Sequence, residues 1–394
     1  MNDRALAAAL SSISRDRVTE IARALCAVRL PDGREGPRAE VAASFLDHPR
    51  IEVLLDPVMP GRPNLIARVR GRGAGPSLLL NGHLDAGYAP RGWSRDPFTP
   101  WVEGDRLYAA GVSDMLGGVA SMIATLEAAA RLDPLPGDLV LLANMYHDSN
   151  GVGTKYALAH AEDWPRYGIN GEPTSLTLMT AHGGCLKFEI AFTGKPAHVS
   201  RKERGADALT AAVDAHVALR SLRFTHDPHP LLPGHPKFLV GALQAGDAPG
   251  SMADEAVLRG DLRTVPGMTW AGLKADLERV LHVACPPGVK GRIRCLVRQQ
   301  PFVGPSQGPL VDALRAAHRL VRKDALRVNA DQGCQAFVTD AVDMLAAGIE
   351  SVVYGPAEWH FAPDEFIDVD EMADAARVYL AAAFSLMENE REGT

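Results

Sequence analysis

The sequence is poor in cysteine, in long apolar runs and in clusters of basic residues. It contains no run of about 18 apolar residues, so we expect no membrane-spanning helix. A net charge of −7 without basic clusters argues against nucleic acid or an anionic membrane as the main partner. The N-terminal residues form a helical pattern without the layout of a signal peptide.

The few cysteines bear on the cellular compartment. The chain has five, none in a Cys-x-x-Cys pair: Cys26, Cys185, Cys285, Cys295 and Cys334. An odd, scattered set of this kind is typical of reduced thiols and predicts a cytoplasmic protein.

Length and composition indicate a globular protein of two domains. The chain has 394 residues, of which 46% are hydrophobic and 23% charged. That length exceeds one ordinary hydrophobic core, so two domains are expected.

The first part of the chain alternates helix and strand patterns. Two helices are predicted over residues 1–48, followed by strands at 51–55, 64–69 and 77–81. A helix at 118–130 and a buried strand at 138–143 come next. This alternation predicts an α/β domain with a mostly parallel sheet and helices on both faces. We assign residues 1–181 and 300–394 to it.

The pattern changes near residue 182 to that of an inserted α+β domain, residues 182–299. Residues 185–192 alternate apolar and polar side chains, as a half-exposed antiparallel strand does. The other predicted elements of this domain are helices at 206–220 and 269–283 and strands at 237–243, 256–263 and 291–298.

The buried strand at 77–81 leads into a His-x-Asp pair. Side chains alternate along a strand, so His83 and Asp85 are predicted to point the same way where this strand ends. A metal-bound histidine usually donates its other ring N–H to a neighbouring carboxylate. A histidine that is simply hydrogen-bonded at a strand end is the alternative.

Three more acidic residues follow predicted strands. Asp114 lies in a glycine-flanked turn, Asp148 follows the strand at 138–143, and Glu172 precedes a proline. A lone aspartate in a glycine-rich loop usually only stabilises a turn. Open α/β sheets gather their sites at strand ends, however, and imidazole with carboxylate ligands suits Zn²⁺ or a similar ion.

Several motifs are spread over nearly the whole chain. They are Gly82-His-Leu-Asp85, Trp93-Ser-Arg-Asp-Pro-Phe98, Ser113-Asp-Met-Leu-Gly-Gly118, Gly171-Glu-Pro-Thr174, Gly194-Lys-Pro-Ala-His-Val-Ser200, Asp261-Leu-Arg263 and Gly355-Pro with Pro363-Asp-Glu-Phe366. In these motifs the chain resembles the zinc-dependent amidohydrolases that include aminoacylases, acetylornithine deacetylases, succinyl-diaminopimelate desuccinylases and glutamate carboxypeptidases. The resemblance implies a zinc-exopeptidase-like domain with an inserted dimerisation domain.

The resemblance implies a metal centre. His83 and Glu172 would bind one ion, and Asp114 would bridge to a second. Asp148 would bind the second ion in place of the family's usual Glu, and Asp85 would orient His83. The ions would be Zn²⁺, one or two per chain, with Co²⁺ or Mn²⁺ as alternatives.

The resemblance also implies a homodimer and a substrate with a carboxylate. His198 matches the histidine that reaches the partner subunit's site and stabilises the oxyanion. Arg263 matches an arginine that binds a substrate carboxylate, for which a bidentate guanidinium is well suited. Considered alone, His198 and Arg263 would be interpreted as surface residues.

The chain departs from the family pattern where the chemistry takes place. His147-Asp148 stands where the family has Glu-Glu, whose first member is the general base. His147 is therefore a base, a metal ligand or only a space-filling residue. The family's last histidine ligand aligns with Phe361, so His360 reaches the second ion only if the loop bulges by one residue.

Three functions follow from this pattern. The first is metal-dependent hydrolysis of the amide bond of an N-acyl amino acid or small peptide, with an altered general base. The second is a non-hydrolytic reaction on a related substrate, such as isomerisation, acyl transfer or amide formation. The third is a non-catalytic binding homologue, which the retained carboxylates argue against because they would repel one another without an ion.

Overall fold

A computed structural model describes residues 3–30, 32–329, 336–360 and 362–389; Cys334 and Phe361 lie outside these ranges. The helices of the described residues are α1 Asp3–Ser12, α2 Arg15–Cys26, α3 Gly36–Ser44, α4 Gly117–Ala130, α5 Val152–His160, α6 Ala208–Ser221, α7 Trp270–Ala284, α8 Pro309–Arg322, α9 Ala341–Ala346 and α10 Val369–Asn389. The strands are β1 Ile51–Met59, β2 Arg62–Val69, β3 Leu78–His83, β4 Trp101–Glu103, β5 Arg106–Tyr108, β6 Leu139–Asn144, β7 Tyr167–Asn170, β8 Ala181–His182, β9 Gly184–Thr193, β10 Lys237–Ala245, β11 Glu255–Thr264, β12 Lys290–Gln299, β13 Phe302–Val303, β14 Glu350–Val353 and β15 Phe366–Asp368.

The chain divides into two compact units. The larger unit comprises residues 1–180, 303–334 and 339–394, and the inserted unit comprises residues 181–302 and 335–338. The larger unit is therefore built from both ends of the chain.

The larger unit contains a six-stranded sheet in the order β1-β2-β6-β3-β7-β14. Strands β6, β3, β7 and β14 are parallel, whereas β1 and β2 pair antiparallel at one edge. Every residue of β3 is buried because both faces of the sheet are covered, which explains its continuous apolar run. The predicted mostly parallel sheet is confirmed.

Helices cover both faces of this sheet. Leu78 and Leu80 belong to the main core, to which α2, α4 and α10 contribute. Leu79 points to the other face and joins a smaller core with Ala157 of α5 and Met344 of α9. Alternation of side chains along β3 thus distributes neighbouring leucines between two cores.

The N-terminal region contains three helices, so the prediction of two is wrong. Ile13 and Ser14 separate α1 from α2. The Ser14 side chain accepts a hydrogen bond from the Arg17 backbone N–H at 3.1 Å and caps α2. A two-residue break of this kind leaves little mark on the apolar pattern.

The inserted unit is an antiparallel sheet in the order β10-β11-β9-β12, with α6 and α7 packed against it. Its central strand β9 is more buried than the alternating pattern predicted. Glu189, expected to be exposed, is 7% accessible because Arg259 and Arg294 pair with it at 2.9 and 2.7 Å. Among the described helices of both units, none has the length and apolar character that a membrane crossing requires.

Candidate metal centre

The ends of three neighbouring parallel strands meet at one edge of the sheet. His83 is the last residue of β3, and His147 follows β6 in a short helical turn. Glu172 comes two residues after β7 ends at Asn170. The parallel register places these three strand ends side by side, which is where open α/β sheets form their sites.

The structure brings His83, Asp114 and Glu172 together. His83 Nε2 lies 3.2 Å from Asp114 Oδ1 and 3.5 Å from Glu172 Oε1. The His83 and Glu172 side chains are buried, whereas that of Asp114 is 37% exposed. Two carboxylates therefore face one imidazole nitrogen.

His147 lies against His83. The two imidazole rings are parallel within 6°, with centroids 4.6 Å apart. His147 Nε2 lies 3.7 Å from Glu172 Oε1, the same oxygen that faces His83. On the other side of the ring, His147 Nδ1 lies 2.8 Å from Asp340 Oδ1. One nitrogen of each histidine and one oxygen of Glu172 all lie within 4.8 Å of one another.

Asp85 lies behind His83, as the His-x-Asp spacing predicted, but at a longer distance than a hydrogen bond. His83 Nδ1 is 3.5 Å from Asp85 Oδ1, and neither atom has a hydrogen-bond partner among the described residues. The other oxygen of Asp85 accepts the Asp148 backbone N–H at 3.0 Å. Asp85 therefore joins the end of β3 to the turn that carries His147.

Asp114 is held from two directions. Its second oxygen, Oδ2, accepts a hydrogen bond from Trp359 Nε1 at 2.8 Å. Its turn is held by Glu365, whose carboxylate accepts the Gly111 backbone N–H at 2.9 Å and the Ser113 backbone N–H at 2.8 Å. A segment near the C-terminal end of the chain thus fixes the first acidic loop of the site.

The charges in this cluster favour retained protons. Burial lowers the pKa of His83, but the carboxylates of Glu172 and Asp114 raise it to about 9. Burial and the charge of Asp114 raise the pKa of Glu172 to about 8. Despite its burial, Asp340 has its pKa lowered to about 2 by His147. His83 and Glu172, which hold protons in this way, are donors that suit a divalent ion, because the ion would replace those protons.

A cavity of about 520 Å³ opens beside the cluster. Its wall includes Asp85, Asp114 and Asp148 among the predicted site residues, together with Tyr146 and Trp359. Among the described residues, His147 and Glu172 are not part of this wall. The cluster reaches the cavity through His83 and Asp114; of the His147-Asp148 pair, Asp148 lines the cavity and His147 contacts the cluster.

His360 also lines the cavity. Its Nδ1 atom is buried without a hydrogen-bond partner among the described residues, and its ring packs edge-on against Phe366 at 5.7 Å. Among the described residues, neither His360 nor Asp148 is part of the group of ligand atoms formed by His83, His147 and Glu172. The second ion's ligand pair, Asp148 and His360, stays a prediction.

The remaining predicted residues lie in the inserted unit. The exposed His198 accepts the Ser200 backbone N–H at 3.2 Å through Nδ1. Arg263 on β11 makes a bidentate pair with Asp261, at 3.0 and 3.1 Å, and donates to the Ala336 carbonyl at 3.1 Å. A substrate carboxylate at Arg263 would compete with Asp261.

Asp340 is the site residue that sequence reasoning missed. It precedes α9, where an aspartate normally caps the helix, yet its side chain makes no capping bond. Its Oδ2 atom accepts hydrogen bonds from Asn144 at 2.7 Å and Thr154 at 2.8 Å, while Oδ1 faces His147. The sequence gives no local signal for this pairing, because the two residues are 193 positions apart.

Comparison with known families and curated proteins gives close agreement over most of the chain. Residues 79–385 match the model of peptidase family M20/M25/M40. The chain is 33% identical over 335 residues to an acetylornithine deacetylase of Edwardsiella ictaluri, with 82% of each chain covered. It is 31% identical over 334 residues to an acetylornithine deacetylase of Proteus mirabilis, with 81% of each covered.

Solved structures share the fold at low sequence identity. Human carnosine dipeptidase 1 matches with a TM-score of 0.79 and 15% identity, over 97% of this chain and 98% of that one. A Bacillus subtilis protein described as a dinuclear metal-binding peptidase from the M20 family matches with a TM-score of 0.71 and 18% identity, over 96% and 99%. At these identities the likeness concerns the fold alone.

Proposed function

We propose that this chain, which belongs to the peptidase family M20/M25/M40 and is a metal-dependent amidohydrolase, cleaves the amide bond of an N-acyl amino acid or a small peptide. The family resemblance drawn from its motifs is confirmed. The observation that carries the proposal is the meeting of His83, Asp114 and Glu172 beside a cavity large enough for a small substrate. The names of the curated relatives, which are acetylornithine deacetylases, support this substrate class.

The chain's own residues would hold and surround a divalent ion, for which we propose Zn²⁺. When bound, such an ion polarises an amide carbonyl and lowers the pKa of water. His83 and Glu172 would hold it through one nitrogen and one oxygen, and Asp114 would contribute a further carboxylate. Co²⁺ and Mn²⁺ suit the same donors.

Two neighbouring residues are candidates to accept the proton of the attacking water. His147 is the predicted base, but its Nε2 faces the carboxylate of Glu172, and His147 is not part of the cavity wall. Asp148 is exposed and lines the cavity. The contacts support Asp148 for proton transfer more than His147, since a base must reach the water that it deprotonates.

We further propose a homodimer, in which His198 of a second copy stabilises the oxyanion and Arg263 binds the substrate carboxylate. Support comes from an apolar stripe on α6, where Leu209, Val213 and Val217 are 41%, 41% and 56% exposed. In addition, β10 is an edge strand of the inserted sheet. Light scattering during gel filtration tests this proposal: a dimer is expected for the unaltered chain, and Val213→Asp with Val217→Asp should give monomers. A monomeric unaltered chain would contradict the dimer.

A cytoplasmic location is also part of the proposal. The cysteines of the described residues, Cys26, Cys185, Cys285 and Cys295, are all free thiols. Free thiols are the rule in a reducing compartment.

The direct test is hydrolysis by the purified, zinc-loaded protein. A panel of N-acetyl, N-succinyl and dipeptide substrates with a free carboxylate would be assayed for release of a primary amine. We expect turnover that disappears in His83→Ala and after chelation. Absence of hydrolysis across the panel, in a protein that binds its ion, would argue against the proposal.

The second candidate function is a non-hydrolytic reaction on a related substrate. The observation that favours it is the position of His147, which replaces the family's base but is not part of the cavity wall. Reaction in ¹⁸O-labelled water separates the two functions, since hydrolysis places one labelled oxygen in the carboxylate product. Product formed without the label would support the second function.

A further inference from the structure

His147 occupies the position of the family's general base but has the surroundings of a metal ligand. Its Nε2 atom and that of His83 converge on one oxygen of Glu172, at 3.7 and 3.5 Å. Two ligands about 2.05 Å from a tetrahedral ion are separated by about 3.4 Å. The two distances to Glu172 are therefore already close to the spacing between ligands of a single zinc ion, and the whole group lies within 4.8 Å.

Asp340 fixes the ring of His147 for this role. His147 Nδ1 lies 2.8 Å from Asp340 Oδ1, and Nε2 is the nitrogen that faces the cluster. Asp340 itself is 2% exposed and is held by Asn144 and Thr154 through its other oxygen. A buried carboxylate behind a histidine orients metal ligands and general bases alike, but a general base must also reach its substrate, and His147 is not part of the cavity wall.

The contacts of Asp114 bear on the number of ions. A bridging aspartate uses one oxygen for each of two ions. Here Asp114 Oδ1 faces His83 at 3.2 Å, while Oδ2 accepts the indole N–H of Trp359 at 2.8 Å. A second ion on Oδ2 would have to share that oxygen with the indole N–H of Trp359. Of the remaining ligands predicted for a second ion, Asp148 and His360 stay outside the cluster.

From these contacts we infer that the chain binds one ion tightly, through His83, His147 and Glu172, with Asp340 as the positioning residue of His147. Three protein ligands leave a coordination position toward Asp114 and the cavity. This inference rests on the proposed metal-dependent function and changes the role of His147 within it. The neighbouring Asp148 then becomes the proton acceptor at the cavity wall.

Cobalt substitution tests the inference without any substrate. Each histidine bound to Co²⁺ through Nε2 gives one strongly shifted, solvent-exchangeable Nδ1–H resonance in the proton NMR spectrum. We expect two such resonances in the unaltered protein and one in His147→Gln. We also expect one equivalent of cobalt to bind tightly, with a loss of affinity of more than about 100-fold in His147→Gln.

Two further variants separate ligation from general stability. Asp340→Asn should keep both resonances but lower cobalt affinity by about 10–100-fold, as loss of a carboxylate behind a ligand does. His318→Gln is the matched control, because His318 is a buried histidine that pairs with Asp324 at 2.9 Å away from the cluster. It should bind cobalt like the unaltered protein.

The result that would overturn the inference is one shifted resonance in the unaltered protein, or two ions bound with similar tightness. The assay of the proposed function is independent of this result. Hydrolysis with two tightly bound ions would sustain the function and remove the inference. One ion bound through His147, without hydrolysis of any N-acyl substrate, would sustain the inference and remove the function.

Discussion

The ends of β3 and β6 lie side by side, and each leads to a histidine, yet the two histidines are held in different ways. His83 is followed by Asp85, two residues on, but its Nδ1 lies 3.5 Å from that carboxylate. His147 has no acidic neighbour bonded to its ring in the local sequence, yet its Nδ1 lies 2.8 Å from Asp340. The comparison shows that the carboxylate nearest in sequence makes the longer contact.

The largest expected effect comes from replacing His83, which is a metal ligand both in the proposed function and in the inference of a single ion. His83→Ala removes the nitrogen that faces Asp114 and Glu172. Amide hydrolysis should fall by more than about 10⁴-fold, beyond the usual effect of one acid–base residue, because metal binding itself is lost. Elemental analysis after desalting measures the loss of metal, and retention of one ion with full activity would show that His83 is not a ligand.

Asp148→Asn is expected to have the next largest effect, and it tests the division of roles between His147 and Asp148. As the cavity-lining proton acceptor, Asp148 should contribute about 10²–10⁴-fold to kcat, with little change in metal content. Parallel measurement of kcat and zinc content distinguishes the roles. A loss of zinc together with activity would instead identify Asp148 as the ligand of a second ion.

A smaller effect is expected from the carboxylate behind His83. Asp85→Asn should lower metal affinity by about tenfold or less, at the lower end for a residue behind a ligand, because the His83–Asp85 contact is longer than a hydrogen bond. Competition with a coloured chelator gives the affinity. A larger loss of metal affinity in Asp85→Asn than in Asp340→Asn would show that the carboxylate beside His83, and not the one beside His147, matters more for metal binding.

The smallest expected effect concerns His318, a third buried histidine with a carboxylate partner. Burial lowers its pKa, and Asp324 only partly opposes this shift. Because the folded-state pKa lies below the unfolded value, the unfolded chain binds more protons as the pH falls, so His318 stabilises the fold above about pH 6.5 and less below it.

Urea unfolding of the unaltered protein and His318→Gln at pH 8 and pH 5.5 measures this dependence. The free energy of unfolding of the unaltered protein should fall relative to that of the variant at pH 5.5. A constant difference between the two proteins would contradict the predicted pH dependence.

The sequence predicted the sheet and one half of the site because those signals are local. The apolar run at Leu78–Leu80 identifies β3, and alternation beyond it places His83 and Asp85. The direction of His147 could not be predicted in this way. Its ring is positioned by Asp340, 193 residues away, and by stacking on His83, and neither contact leaves a pattern in the residues around it.

The same limit applies to Trp359 and Glu365. Trp359 bonds to Asp114 from 245 positions away, and Glu365 holds the turn of Asp114 from 252 positions away. Motifs identified Glu365 as part of a family pattern but not as the residue that fixes Asp114. Long-range hydrogen bonds of this kind depend on the finished fold, whereas helix and strand patterns depend on neighbouring residues.

The division of the larger unit between the two ends of the chain has a consequence for its synthesis. A ribosome adds about 5–20 residues per second, so Asp340, 193 residues after His147, is made about 10–40 seconds later. Residues 181–302, most of the inserted unit, emerge in between and are able to fold first. Asp340, β14 and α10 are made later still. The growing chain therefore carries its histidines and acidic loops long before the segments that position them, and it acquires a finished metal centre only after residue 340 and the segments that follow it have been made.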